Sequence, residues 1–230
     1  MARVNGSQIL ARALRTHGVD TMFYIMGGPM LAAETACINE GIRAIDVRHE
    51  QAAAMMAHAW GRILNRGGAC MAWSGPGSTN LVTGVVTAWA DAAPLLAIGG
   101  SAPAHTGGLG QFQEMDQVAV FKPITKWAER VLDAKRIPDM VATAMRNAIT
   151  GCPGPVYLDM PGDVLYQEVD EAQVVYPDPK RSFVRARPAG DSAAVREAIR
   201  LLRNAQRPIL LSGSGILWSE AWDEMRQFVE

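Results

Sequence analysis

Neither sign of charge is in excess. The 22 Lys and Arg residues stand against 23 Asp and Glu, a net charge of −1. That excludes the basic surface by which proteins grip nucleic acid. Cysteine is scarce: Cys37, Cys70 and Cys152 lie far apart with no C-x-x-C pair. Neither a zinc site nor a disulfide framework is expected, only reduced thiols in a cytosolic interior. No run approaches the ~18 apolar residues of a membrane span. The opening Met-Ala-Arg-Val has no apolar signal core behind it, so a cytoplasmic location is expected. The four histidines, His17, His49, His58 and His105, do not stand at metal-ligand spacing, and the chain is expected to hold no metal. No G-x-G-x-x-G follows the first strand pattern, no G-x-x-x-x-G-K-[ST] occurs anywhere, and no G-x-S-x-G supports a serine hydrolase. Ser212-Gly213-Ser214-Gly215 offers only a bare G-x-G.

What the chain does have is 49% hydrophobic and 20% charged residues over 230 positions, an ordinary globular composition with room for one large or two small domains. A helix pattern opens it, capped by Asn5 or Ser7, with Ile9, Leu10, Ala13 and Leu14 as the buried stripe and Gly18 as its stop. Apolar strand runs follow at Thr21–Ile25, Arg43–Val47, Ala69–Trp73, Leu95–Ile98, Ile124–Val131 and Pro155–Met160. Helix patterns at Leu31–Glu40, Glu50–Leu64, Thr79–Ala90 and Ile137–Ile149 separate them. Strand, turn and helix thus repeat, which predicts an α/β fold: a parallel sheet with helices on both faces. The strands are apolar runs because both faces are covered. Gly-rich turns close the strands at Met26-Gly27-Gly28-Pro29, Ser74-Gly75-Pro76-Gly77-Ser78 and Gly99-Gly100-Ser101. Ligands bind along that edge in open α/β sheets. The irregular Ser101–Gln113 segment, with three glycines, is a candidate active-site loop.

After residue 169 the periodicity fades. Residues 170–190, with Pro177, Pro179 and Pro188, read as a linker. Residues 191–230 read as the start of a second α/β domain: a helix from Asp191-Ser192, a strand at Pro208–Leu211 and a helix from Ser219. That unit is too small to bury a core, and the pattern stops in mid-helix. The chain is therefore expected to be part of a longer polypeptide.

The stretch richest in chemical possibility is Arg48-His49-Glu50-Gln51, between the apolar run Ile42–Val47 and the small-residue helix Ala52–Ala57. A carboxylate at a strand-to-helix junction against an apolar wall is expected to have its charged form disfavoured, as proton transfer near neutrality requires. The plainer alternative is a first-turn acidic residue favoured by the helix dipole.

Arg48-His49-Glu50-Gln51-Ala52-Ala53-Ala54, followed by Ser74-Gly75-Pro76-Gly77-Ser78-Thr79-Asn80, resembles the pyrimidine-binding domain of thiamine-diphosphate enzymes. The nearest branch holds acetolactate synthase, oxalyl-CoA decarboxylase, 2-hydroxyacyl-CoA lyase and benzaldehyde lyase. Phe112-Gln113-Glu114-Met115-Asp116-Gln117, Pro123-Ile124-Thr125-Lys126-Trp127 and Pro153–Pro161 agree in order and spacing. Arg207-Pro208-Ile209-Leu210 resembles the start of the family's central domain.

The resemblance implies that residues 1–169 are the pyrimidine-binding domain and that Glu50 is the catalytic carboxyl. In that role Glu50 is hydrogen-bonded to the cofactor's pyrimidine nitrogen and favours loss of the thiazolium C2 proton. It implies cofactor contacts from Gly27, Gly28, Ser74, Pro76, Gly77 and Asn80, and a substrate side formed by Pro29, Phe112 and Gln113. Mg2+ and the diphosphate would be held by a domain outside this chain, marked by a Gly-Asp-Gly that the sequence does not contain. The expected assembly is a homodimer or homotetramer with the cofactor between subunits, acting on a small molecule without nucleic acid or membrane.

Benzaldehyde lyase has a histidine where Pro29 aligns. Acetolactate synthases have Tyr-Pro-Gly-Gly where this chain has Ile25-Met26-Gly27-Gly28. The expected activity is a lyase or carboligase of 2-hydroxy carbonyl compounds, acyl-CoA thioesters among them. The alternatives are an acetolactate-synthase-like transferase, a 2-oxo-acid decarboxylase and, outside catalysis, a regulatory homologue.

Overall fold

The computed structural model describes residues 2–28, 30–182 and 188–230. Two short strands frame the first unit, residues 1–183. β1 (Arg3–Asn5) leads into α1 (Gly6–Thr16). Asn5 caps α1 as expected, accepting from the Gln8 N–H while the Gln8 side chain accepts from the Asn5 N–H. A reciprocal box of this kind is worth about 1 kcal/mol. Ile9, Leu10, Ala13 and Leu14 are fully buried, and Gly18 turns the chain with φ +85°.

The strand–helix rhythm then runs β2 (Thr21–Tyr24), α2 (Met30–Asn39), β3 (Arg43–Asp46), α3 (Glu50–Ile63), β4 (Gly68–Ala72), α4 (Pro76–Asn80), α5 (Val82–Ala90) and β5 (Leu95–Ser101). After the long loop come α6 (Gln117–Phe121), β6 (Trp127–Arg130), α7 (Ile137–Ile149), β7 (Pro155–Pro161), α8 (Gly162–Tyr166), β8 (Glu168–Asp170) and α9 (Pro179–Ser182). Six strands form one fully parallel sheet in the order β3-β2-β4-β5-β7-β6. The expected α/β class is the observed one.

Alternation along each strand divides the core between the two faces. Met22, Tyr24, Met71, Ile98 and Leu158 join the cluster built by α1, α2 and α7. Phe23 points the other way and meets Trp60 of α3 edge to face, 6.1 Å between ring centroids. There the alanines Ala53, Ala54 and Ala57 are fully buried, and Gly84 lets α5 approach α3 closely: a Cβ on Gly84 would lie 2.4 Å from the Ala54 Cβ.

Three local expectations are corrected. Gly99-Gly100-Ser101 does not end β5; the strand continues through it, paired with β7 to Ser101↔Pro161. The glycines are there for close packing rather than for a turn: a Cβ on Gly99 would lie 2.1 Å from the Tyr157 hydroxyl, and one on Gly100 would lie 2.7 Å from Met30. The helix after the Ser74 turn starts at Pro76, not Thr79, because proline suits the first helical position. Residues Ile124–Val131 give a strand only at Trp127–Arg130, since Lys122–Ile124 form a 3-10 turn around Pro123. The β1–β8 pair gave no periodic signal in three residues each; the two strands pair antiparallel, Arg3↔Asp170 through Asn5↔Glu168. Beyond Asp170, Val174 and Tyr176 still pack against the core of the first unit.

The second unit, residues 184–230, has α10 (Ser192–Asn204), α11 (Gly215–Trp218) and α12 (Trp222–Val229). Asp191 caps α10, accepting from the Ala193 and Ala194 N–H groups. The expected strand at Pro208–Leu211 is not formed. A strand needs a neighbour to pair with, and among the described residues of this unit there is no other strand. None of its described residues is buried.

One buried carboxyl stands apart from the polar surface. Glu34 on α2 is 3% exposed, and neither of its oxygens finds a hydrogen-bond partner among the described residues. Burial, with the Asp46 carboxylate adding to it, pushes its pKa from 4.5 to about 8. The folded chain therefore keeps a proton that the unfolded chain gives up between those values. Its stability contribution is complete below the unfolded pKa and is lost as pH rises toward the folded one. Glu34→Gln is expected to stabilise the fold by about 2–3 kcal/mol near pH 7 and by little near pH 4. Denaturant titrations at the two pH values check this; an equal effect at both would count against a proton held at Glu34.

Candidate active site

The strand order places a reversal between β2 and β4, since β3 lies on one side of β2 and the rest of the sheet on the other. A crevice at the carboxyl ends of such strands is the usual ligand position. Three connections meet there: the turn after β2, the start of α3 after β3, and the turn from β4 into α4.

His49 caps α3, its Nδ1 accepting from the Gln51 N–H at 3.1 Å. Glu50 follows as the first helical residue. β3 is the edge strand, with Arg43 and Asp46 exposed, so Glu50 is half-buried instead of sealed against an apolar wall. Its Oε2 accepts from Asn80 Nδ2 at 2.9 Å. Its Oε1 lies beside Gly77, where a Cβ would come within 3.3 Å of it and 3.0 Å of the Trp73 Cβ. The missing side chain at Gly77 thus lets the carboxyl and Trp73 close against the α4 backbone.

The turn itself is shaped by neighbours. Gly75 has φ +57°, and a Cβ there would lie 2.6 Å from the Gln113 carbonyl oxygen. Ser74 Oγ donates to that same carbonyl at 3.1 Å, and Ser78 Oγ donates to the Trp73 carbonyl at 2.7 Å. Pro76 is exposed at the head of α4. Gln113 carries φ +58° and its side-chain oxygen accepts from Trp73 Nε1.

Of the residues expected at a site, the structure brings Glu50, Gly77 and Asn80 into contact, and it joins Gly27, Gly28, Ser74 and Gln113 to them through Trp73. Phe112 stands out, 81% exposed on the loop. Pro29 lies outside the described residues. Trp73 was not singled out by sequence reasoning. Its ring lies on the Gly27-Gly28 turn so closely that a Cβ on Gly28 would overlap it. The available signal was an aromatic residue at the last position of an apolar run before a glycine turn. Gln117 was also missed as a site residue: it is fully buried and accepts from the Gly75 N–H at 2.5 Å.

The long loop is organised by two carboxylates. Glu114 accepts from the Gly108 and Gln111 N–H groups, and these bonds hold its pKa below the ordinary value. Burial pushes the Asp163 carboxyl up, but the His105 ring and the amides of Ala104, His105 and Val164 outweigh it, leaving the pKa low. Next to the loop, Ser101, Glu114, Asp116 and Arg130 line a pocket of about 420 Å³.

Residues 4–120 match the family described as "Thiamine pyrophosphate enzyme, N-terminal TPP binding domain". The chain is 36% identical over 230 residues to the probable acetolactate synthase large subunit of Methanocaldococcus jannaschii, covering 99% of this chain and 39% of that one. It is 34% identical over 230 residues to 2-hydroxyacyl-CoA lyase of Arabidopsis thaliana, covering 99% and 40%. It is also 39% identical over 235 residues to the acetolactate synthase large subunit of Parasynechococcus marenigrum, covering 99% and 37%. The chain spans about two fifths of the length of these curated relatives. It belongs to the thiamine pyrophosphate enzymes, and the matched part is their N-terminal cofactor-binding domain. No helix among the described residues is long and apolar enough to cross a membrane.

Gly75→Ala is expected to destabilise the fold by about 1–3 kcal/mol, because it adds a side chain where φ is positive and the Gln113 carbonyl is 2.6 Å away. Thermal unfolding checks this, and an unchanged midpoint would show that the turn has slack.

Proposed function

We propose that this chain supplies the pyrimidine-facing half of a thiamine-diphosphate-dependent enzyme. The reaction proposed is cleavage or formation of the carbon–carbon bond of 2-hydroxy carbonyl compounds, 2-hydroxyacyl-CoA thioesters among them. The observation that carries the reading is the Glu50 carboxyl, with one oxygen tied at 2.9 Å to Asn80 and the other beside the bare backbone of Gly77. That arrangement suits a nitrogen-bearing ring: a carboxyl to share a proton, held in one orientation by Asn80.

When bound, the cofactor supplies the electron sink that stabilises negative charge on the reacting carbon. The residues of this chain do the rest of the work proposed for it. Glu50 holds a proton at the pyrimidine nitrogen. Asn80 fixes the carboxyl rotamer by donating to Oε2. Gly27, Gly28, Ser74, Pro76 and Gly77 border the ring. Gln113, with Phe112 beside it in sequence and Pro29 from the segment that follows β2, faces the substrate side.

Residues 1–169 act in this reading as the pyrimidine domain, joined through 170–190 to a central domain that begins at 191. Magnesium and the diphosphate are held by a domain outside this chain, and the working form is a homodimer or homotetramer with the cofactor between subunits. Free thiols at Cys37, Cys70 and Cys152 support a cytoplasmic setting.

A second reading, an acetolactate-synthase-like transferase that condenses a decarboxylated 2-oxo acid with another, is favoured by the likeness to acetolactate synthase large subunits. Product analysis of the complete polypeptide with pyruvate, set against a 2-hydroxyacyl-CoA, separates the two. In either case Glu50→Gln is expected to lower kcat by about 10²–10⁴ while far-UV circular dichroism stays unchanged. A near-normal rate would remove Glu50 from the chemistry. Absence of calorimetric binding of thiamine diphosphate and Mg2+ by the complete polypeptide would sink both readings.

A further inference from the structure

Beneath the β4–α4 turn lies a polar network whose centre, Gln117, Tyr157 and Asp159, is closed to water. Gln117, the first residue of α6, is its hub. Its Oε1 accepts from the Gly75 N–H at 2.5 Å. Its Nε2 donates to Asp159 Oδ1 at 2.6 Å and to the Gly100 carbonyl at 2.9 Å, and stands 2.8 Å from the Tyr157 hydroxyl. The Tyr157 hydroxyl donates to the same Asp159 oxygen at 3.1 Å, and its ring stacks on Phe121 with centroids 3.9 Å apart. The other Asp159 oxygen accepts from Ser101 Oγ at 2.8 Å and from Arg130 Nε at 2.5 Å. Asp159 and Gln117 are both 0% exposed.

A carboxylate at that depth is tolerable only when paired and fully hydrogen-bonded, and its position is fixed by four elements at once: β5, β6, β7 and α6. Gly75 has the opposite character. At φ +57° it sits in a backbone conformation that glycine permits but does not select. The side chain that engages its N–H is Gln117.

We propose that Gln117 is a positioning residue: it connects the fixed Asp159 carboxylate to the Gly75 N–H and so sets the turn that brings Gly77 and Asn80 to Glu50. The proposal rests on the reading of Glu50 as the cofactor-facing carboxyl. Its consequence for the reaction is that cofactor recognition depends on a carboxylate sealed behind the turn, at Asp159.

Two variants test it in the complete polypeptide. Gln117→Leu removes both the donor and the acceptor. Gln117→Glu keeps the acceptor for Gly75 but brings a carboxyl against Asp159, so the network re-forms only when a proton is shared between them. The charged and titratable groups facing residue 117 are Asp159 and Tyr157 from β7, and Arg130 from β6 is paired with the far oxygen of Asp159.

The first readout is deuterium exchange of the segment 73–81 without cofactor, corrected for the intrinsic pH dependence of exchange. The second is the apparent Kd for thiamine diphosphate. In Gln117→Leu, exchange is expected to be about tenfold faster than wild type at every pH, with the Kd raised by a similar factor. In Gln117→Glu both changes are expected near pH 8 and to recede near pH 6 as the shared proton returns. Wild-type exchange and Kd in both variants at both pH values would overturn the proposal. If Gln117→Leu does not fold, Tyr157→Phe, which keeps the stack on Phe121, is expected to speed exchange in the same segment about threefold; no change there would also overturn it. Because exchange is read without cofactor, a wild-type protein that shows the exchange pattern but binds no thiamine diphosphate rejects the cofactor reading, not the coupling of Gln117 to the turn.

Discussion

A charge buried within a parallel sheet, one strand in from its edge, constrains everything around it. Asp159 lies on β7, between β5 and β6, and is fully buried. Its two oxygens draw in Arg130 from β6, Ser101 from β5, Tyr157 from its own strand and Gln117 from α6. Removing any one partner would leave a desolvated group unpaired, which costs far more than the pair contributes. The arrangement therefore specifies register between three strands and the seat of one helix together. It also explains why Gly99 has no side chain: the Tyr157 hydroxyl and Ser78 Oγ occupy the space a Cβ would need, at 2.1 and 2.4 Å.

The architecture was legible because the strands are apolar runs broken by glycine turns, and that pattern has few solutions besides a covered parallel sheet. α1 and α7 were legible almost residue by residue, through the Asn5 cap, the stripe Ile9–Leu14 and the clean run Ile137–Ile149. Glycine was the ambiguous letter. In Gly75 it marks a turn of positive φ, whereas in Gly99 and Gly100 it marks the close approach of Tyr157 and Met30 to a continuing strand. One residue type serves both purposes, and only the neighbours decide which. The three-residue strands β1 and β8 were invisible because their pairing is set by contacts 165 positions apart between Arg3 and Glu168, and no local period records that.

The site divides in a similar way. Glu50 and Asn80 could be named because they sit in motifs of distinctive composition. Trp73 and Gln117 could not, since an aromatic residue at a strand end and a glutamine at a helix start each have an ordinary structural explanation. What gives them importance is adjacency: Trp73 lies on the Gly27-Gly28 turn while donating to Gln113, and Gln117 grips Gly75. The two carboxylates that organise the long loop, Glu114 and Asp163, belong to the same group. Family membership names the class of cofactor; these contacts describe how this particular chain holds its edge of the sheet in shape.

The β1–β8 ladder has a mechanical meaning. Its two strands are antiparallel, with Arg3 opposite Asp170, and the Arg3–Glu168 and Arg12–Glu171 ion pairs and the Glu171 N–H to Ala2 carbonyl bond reinforce it. The clasp therefore ties the start of the sheet unit to residues 168–171, and Val174 and Tyr176 beyond it still pack on the core. Tension applied through the flanking segments would meet these rungs one at a time, as a zip opens, and not as a simultaneous shear of the whole ladder. Load arriving from the far side of residue 176 would first have to lift Tyr176 and Val174 off the core, so the two ends of the unit yield by different routes.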